Sequence, residues 1–442
     1  ERGLLMQNAP HLVHNLAFVV PSYEWWNGPF YGVGLKVYDL LAGKLGLGPS
    51  RLLSREETLK RIPTLEPEGL RGGVIYYDGQ FEDARLAINL AQTAEDYGAT
   101  VLNYMRVVEL KKTADVISGV TAIDLESGQS IEFNGRVVIN ATGVFSDRIR
   151  EMDEPGCQPI ITPSQGVHLV LPKEFLKSDA AIMVPHTADG RVLFAVPWHE
   201  RVVVGTTDTP VEKPVLEPCA LQEEIDFILT HAARYLTHDP DYGDILSVFA
   251  GLRPLVNLQG GEDTAEISRD HHVMVSKAGL VTIAGGKWTT YRKMAEDTIQ
   301  QAALVAGLPE RPSITRNLRI HGWLKAVDRD NHLHIYGSDR IYIEDMIKKH
   351  PELGKKLHPE LPYIKGEVVW AVRQEMARSV EDVLARRTRA LLLNAELSMK
   401  IAPEVAEMMA RELKVRRKKR WIKEQLKLYM DVAKRYLPQR TD

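Results

Sequence analysis

Two segments constrain this chain more than any others. Arg136-Val-Val-Ile-Asn-Ala-Thr-Gly143 and Gly279-Leu-Val-Thr-Ile-Ala-Gly-Gly286 each carry a short apolar run into glycine, and a helical pattern follows each. A run of that length without polar alternation reads as a strand covered on both faces. Glycine then permits a sharp turn, and the first free amides of the following helix favour an anionic or electron-rich group. The pair points to an α/β core with a ligand at the turns.

The 442 residues allow about two or three domains. Lys and Arg number 56 against 59 Asp and Glu, a formal charge of −3, so no global field draws the chain to nucleic acid. A hydrophobic share of 44% with 26% charged residues excludes a disordered, collagenous or coiled-coil chain. Cys157 and Cys219 are too few for a disulfide framework and lack zinc-site spacing. No uninterrupted apolar stretch reaches about 18 residues, the length of a membrane-crossing helix. Glu1 to Pro10 reads as the end of a helix already under way, so the expectation is that the beginning of the protein is missing.

Along the chain, Val13 to Pro49 is rich in aromatics, among them Tyr23, Trp25, Trp26, Phe30, Tyr31 and Tyr38, and is read as a loop followed by an amphipathic helix. Ser54-Arg-Glu-Glu57 fits a capping box. A strand is expected at Gly73–Asp78, a helix from Asp83 to about Tyr97, a strand from Val101 and a hairpin about Glu126-Ser-Gly-Gln129. Residues 166–205 are mostly β, 221–235 helical, and a long helix should run from Trp288 to about Val305. From Asp339 onward the pattern is almost wholly helical, which suggests a separate domain beginning near residue 310 to 330.

The motifs carry two readings each. Ala284-Gly-Gly-Lys-Trp-Thr-Thr-Tyr-Arg292 is either a ligand turn or a tight corner with Lys287 solvated. It is no Walker A loop, because Val281 stands where the first glycine belongs and Trp288 where a magnesium-holding hydroxyl must be. No G-x-G-x-x-G occurs. His168, Arg253 and Arg269 are cations in apolar surroundings, which fits a phosphate or carboxylate substrate, or ordinary pairing with Asp or Glu. Gly205-Thr-Thr-Asp208 is either a ligand loop or an Asp-capped turn. Arg416 to Arg420, before Trp421 on an amphipathic helix, is either a solvated face or a contact for an anionic membrane.

In order along the chain, Tyr76-Tyr-Asp-Gly79 with Asp83-Ala-Arg-Leu86, Asn140-Ala-Thr-Gly143, Gly166-Val-His168, Gly205-Thr-Thr-Asp208, Gly251-Leu-Arg-Pro254, Ser268-Arg-Asp270 and Gly285-Gly-Lys-Trp-Thr-Thr-Tyr-Arg292 resemble the FAD-dependent, quinone-linked glycerol-3-phosphate dehydrogenases. Val372 to Arg378 and Glu381 to Arg389 resemble that family's C-terminal domain. The implied fold class is α/β: an interrupted FAD-binding domain of the glutathione-reductase type, an inserted antiparallel-sheet substrate domain and a C-terminal all-α domain. The FAD domain would take residues 1–14, 70–155 and 278–308, without its N-terminal G-x-G-x-x-G part. The substrate domain would take 15–69 and 156–277, and the helical domain 309–442.

By the same resemblance, glycerol 3-phosphate is oxidised at C2 to dihydroxyacetone phosphate, with hydride passing to FAD and electrons to a quinone. His168 would be the base, Arg253 and Arg269 would clamp the phosphate or a substrate oxygen, and Lys287 would add positive charge near the flavin. Val107 would meet the adenosine end, Ala141, Thr142 and Gly143 would line the dinucleotide, and Gly285, Gly286, Lys287, Trp288, Thr289 and Thr290 would face the isoalloxazine. No metal and no nucleic acid are expected. The expected place is cytoplasmic, peripheral on the inner face of the cell membrane. The rival readings are a glycerol-3-phosphate oxidase using oxygen, an amine or amino-acid oxidase, and a flavin-free, non-catalytic piece.

Overall fold

A computed structural model describes residues 1–23, 48–184, 191–257 and 270–438. The aromatic stretch beyond Tyr23 up to residue 47, and Arg269, lie outside these described residues. After the short helix Arg2–Asn8, residues Val13–Ser22 form a ten-residue strand where the sequence suggests a loop. The reason is two-sided burial: Ala17 and Val19 enter one apolar cluster while Leu16, Phe18 and Val20 enter another.

That strand joins a nine-stranded sheet among the described residues. It pairs antiparallel with Gly72–Phe81 and parallel with Ala181–Val184. The sheet continues through Leu193–Trp198 and Arg201–Gly205 to Ile161–Pro172, which also pairs with Ser247–Val256. Residues 72–81 therefore hydrogen-bond into the large sheet, although the sequence reading groups them with 70–155. Helix Gln222–Ala233 covers one face, where its Ile225, Ile228 and Leu229 meet Val167, Leu169 and Leu171. The opposite face, with Leu16, Phe18, Tyr76, Phe194 and Val196, looks into a cavity.

A second sheet holds the two segments that opened the sequence reading. Val138–Asn140 lies parallel to Leu280–Gly285, with Val138 opposite Leu280 and Asn140 opposite Thr282, and His271–Val275 completes it. Both parallel strands thus reach their glycine turns at the same edge, the place where open α/β sheets bind ligands. Helices Ser146–Asp153 and Tyr291–Val305 follow the two turns. The expected hairpin forms with Met105–Thr113 as a separate antiparallel sheet. Ser54 accepts from the Glu57 amide at 3.2 Å and Glu57 accepts from the Ser54 amide at 2.9 Å, so the capping box is present.

Beyond Val305 the described residues form helices and, besides them, only an isolated bridge between Lys356 and Ile364. The helices Lys365–Gln374, Ala395–Glu412 and Lys418–Ala433 share one apolar core. Trp421, Ile422 and Leu426, partly buried, pack against that core, while the run from Arg416 to Arg420 is exposed, as are Glu424, Leu428 and Asp431. The run from Arg416 to Arg420 thus fits the solvated-face reading, with the apolar side of an amphipathic helix turned largely to protein. The helical part is fastened to helix Asp83–Asp96 by a buried ion pair, Arg85 Nη2 to Glu375 Oε1 at 2.7 Å, with the Arg85 guanidinium over the Tyr336 ring. The join brings Arg389 to Asp83, 2.9 Å apart.

Candidate active site

Strand alternation places the candidate base. In Ile161–Pro172, Val167, Leu169 and Leu171 point into the core under the helix, so His168 points to the other face, into the cavity. Its ring stacks on Phe249 at 5.2 Å with planes 16° apart. The partner position across the ladder must be glycine, because a Cβ on Gly205 would lie 2.4 Å from the imidazole. Burial of the ring, with the Arg253 charge adding to it, pushes the His168 pKa down to about 4. The imidazole is neutral at ordinary pH and has a nitrogen lone pair able to take a proton.

The cavity measures about 610 Å³. Thr206, Asp83 and Arg389 line it together with His168, and Trp288 and Thr289 border it from the glycine turn. Of the sequence-nominated cations, Arg253 stands behind the wall: its guanidinium donates to Asp208 at 2.9 Å, to the Thr207 carbonyl at 2.9 Å and to Thr206 Oγ1 at 3.2 Å. This is the pairing with an acidic residue that the sequence left open. Lys287 is exposed and does not line the cavity. The Gly205-Thr-Thr-Asp208 segment is chiefly structural, since Thr207 and Thr209 bond buried Glu224 and Asp208 bonds Arg253 and Ser164. Thr206 alone of these side chains reaches the cavity wall.

Asn140 fixes the turn that ends the other parallel strand. Buried at 2% exposure, it donates to the Ser146 carbonyl at 3.0 Å and to Thr282 Oγ1 at 3.3 Å, and accepts from Thr142 at 2.7 Å. One side chain thereby ties the turn Ala141-Thr-Gly143 to the neighbouring strand. Ala141 and Thr142 are exposed, so a flat group can lie on their backbone. Gly285, at φ +75°, leaves no room for a side chain: a Cβ would sit 2.6 Å from the Asp270 carbonyl oxygen. Gly286 follows, and Trp288–Thr290 form a tight helical turn ahead of helix Tyr291–Val305. Small residues, bare backbone and a helix start at one sheet edge fit the isoalloxazine half of a flavin dinucleotide. Val107 lies half-buried on Met105–Thr113, in the separate antiparallel sheet.

The sequence reading assigned no role to Arg389. Its one local signal is an arginine directly before Ala390-Leu-Leu-Leu393, four buried residues that force the preceding side chain out of the helical core.

A parallel edge with glycine turns beside a sheet-walled cavity defines the class, a flavin-dependent oxidoreductase. The family model for FAD dependent oxidoreductases matches residues 3–292, and the model for the C-terminal domain of alpha-glycerophosphate oxidase matches 277–420. The chain is 38% identical to a mitochondrial glycerol-3-phosphate dehydrogenase of Arabidopsis thaliana, over 99% of this chain and 74% of that protein. It is also 38% identical to the mitochondrial glycerol-3-phosphate dehydrogenase of Macaca fascicularis, again over 99% of this chain, and spans 63% of that relative's length. The glycerol-3-phosphate dehydrogenase from Bacillus halodurans, solved with FAD, superposes with a TM-score of 0.80 at 27% identity, covering all of this chain and 86% of that one. The chain belongs to the FAD-dependent glycerol-3-phosphate dehydrogenase family, whose cofactor is FAD.

Proposed function

We propose that this chain carries the substrate cavity and the isoalloxazine side of an enzyme that oxidises sn-glycerol 3-phosphate to dihydroxyacetone phosphate. The observation that carries the reading is His168, neutral, in the wall of a cavity bordered by the glycine turn through Trp288 and Thr289. When bound, FAD would supply the acceptor for the hydride leaving C2, with a quinone as the onward acceptor of the electron pair. Among the chain's own groups, a His168 ring nitrogen takes the proton of the C2 hydroxyl as its O–H bond breaks and the C=O forms. The apolar sheet face of Leu16, Phe18, Phe194 and Val196 keeps water from the reacting carbon. Arg253 holds Thr206 in the wall and lends its charge from behind, and Lys287 lends charge from the turn. Arg269 keeps the phosphate-clamping role that the family likeness gives it.

No helix among the described residues is long and apolar enough to cross a membrane. Because quinones are lipid-borne, attachment would be peripheral, at an inner membrane face. The outward basic run at 416–420 offers an electrostatic contact for anionic lipid.

The test is an absorbance spectrum of the chain after incubation with FAD and gel filtration. The reading expects a retained flavin band that bleaches on anaerobic addition of glycerol 3-phosphate and, in a parallel assay in air, little peroxide with or without a quinone analogue. A colourless chain would show that these residues do not hold the cofactor by themselves. A bound flavin that glycerol 3-phosphate leaves oxidised would refute the assignment of substrate.

A further inference from the structure

We propose that Arg389, from the C-terminal helical domain, binds the anionic end of the substrate in the catalytic cavity. The inference rests on the functional reading above and adds a residue to it. Among the described residues, Arg389 is the one Lys or Arg side chain lining that cavity. Arg253 is engaged behind the wall and Lys287 is exposed outside the lining, so neither contacts the cavity directly.

Arg389 is well placed for the task. Its backbone amide donates to the Tyr363 hydroxyl at 3.1 Å, and the buried run Ala390–Leu393 anchors the chain behind it. Its guanidinium donates from Nη1 to the Ala385 carbonyl at 3.2 Å and from Nη2 to Asp83 at 2.9 Å. Its Nε is buried away from the cavity, so a ligand would meet the outer nitrogens, of which Nη2 is held by Asp83. Asp83 is the resting counter-ion: its side chain is 55% exposed and can turn to water when an anion arrives, whereas the arginine, at 15%, cannot. The second carboxylate in the lining, Asp78, is already neutralised by Arg2 at 2.8 Å. A further carboxylate near Arg389, Glu82, is paired with His199 at 2.8 Å, so Asp83 is the exchangeable partner that an arriving anion would displace.

Binding of glycerol 3-phosphate and of glycerol to the FAD-loaded chain, measured by calorimetry without turnover, tests this. Loss of one charge-assisted contact should weaken glycerol 3-phosphate binding about 10- to 100-fold in Arg389→Gln, with partial recovery in Arg389→Lys, and leave neutral glycerol unaffected. Asp83→Asn should instead tighten glycerol 3-phosphate binding, because the cation loses its competitor. A merely structural pair would predict weaker binding in both variants. Wild-type and Arg389→Gln proteins binding glycerol 3-phosphate equally would overturn the proposal while leaving the functional reading intact. A wild-type chain that does not bind glycerol 3-phosphate at all would overturn both.

Discussion

His321 fastens helix Asp83–Asp96 to the helical domain, so its titration should loosen the joint that sets Arg389 against Asp83. The ring donates from Nε2 to Asp339 at 2.9 Å and from Nδ1 to Asp96 at 2.7 Å, a geometry that needs both nitrogens protonated. The hydrogen bond to Asp339, then that to Asp96, hold its pKa up at about 9 against burial, from an ordinary 6.5. Because the folded value is the raised one, the stabilisation is fully present below about pH 6.5 and is lost as pH rises through about 9. At ~1.36 kcal/mol per pKa unit, the change is at most about 3.4 kcal/mol. The ring is 23% exposed and Asp96 54% exposed, so solvent screening reduces the net to about 1–2 kcal/mol. Urea unfolding of wild type and His321→Gln at about pH 6 and about pH 10 reads this directly. The wild type should be the more stable by about 1–2 kcal/mol at the lower pH, and the gap should close at the higher one. A gap that stays constant would refute the reasoning, because it would mean that His321 stabilises by packing rather than by charge.

Three further substitutions probe the site. His168→Gln keeps a polar side chain of similar size but removes the proton acceptor, and flavin reduction by glycerol 3-phosphate should slow by about 10²- to 10⁴-fold; in wild type the acid limb of that rate should fall near pH 4, where the ring protonates, instead of near 6.5. Gly166→Ala would place a methyl 2.3 Å from Arg253 Nη2 and push the guanidinium off Asp208, at a cost of about 1–3 kcal/mol in thermal or urea unfolding. An unchanged stability there would show that Arg253 has a second position of equal energy. Asn140→Ala leaves the Ser146 carbonyl and the Thr142 hydroxyl without their partner, so both stability, by about 1–3 kcal/mol, and FAD retention should fall. Retention unchanged in that variant would separate the Ala141–Gly143 turn from the cofactor.

Local elements were readable wherever one short-range force decides them. The two apolar runs into glycine lie side by side as parallel strands, and the Ser54 cap, the hairpin about Glu126 and the helix after Asp83 follow from contacts within a few residues. The strand Val13–Ser22 was not readable, since its pattern satisfies two buried faces at once and only the neighbouring strands supply those faces. The basic amphipathic helix left two readings open for a related reason. An apolar stripe shows that something will be buried but not whether the cover is lipid or protein, and here Trp421, Ile422 and Leu426 find the helical core.

The candidate site divides in the same way. The amino-acid sequence by itself determined which chemistry is on offer: a histidine on an alternating strand, glycines where backbone must approach a flat ligand, and a family likeness that runs along nearly the whole chain. It determined as well that the last third would be helical. Only the tertiary structure decided which charges meet the cavity, because residues hundreds of positions apart become neighbours through buried packing that no local pattern records. Arg253 is drawn behind the wall by Asp208, while Arg389 is carried to Asp83 by the buried Arg85–Glu375 pair between two distant helices. Charge acts over a few ångströms in space, and the chain states only distance along itself.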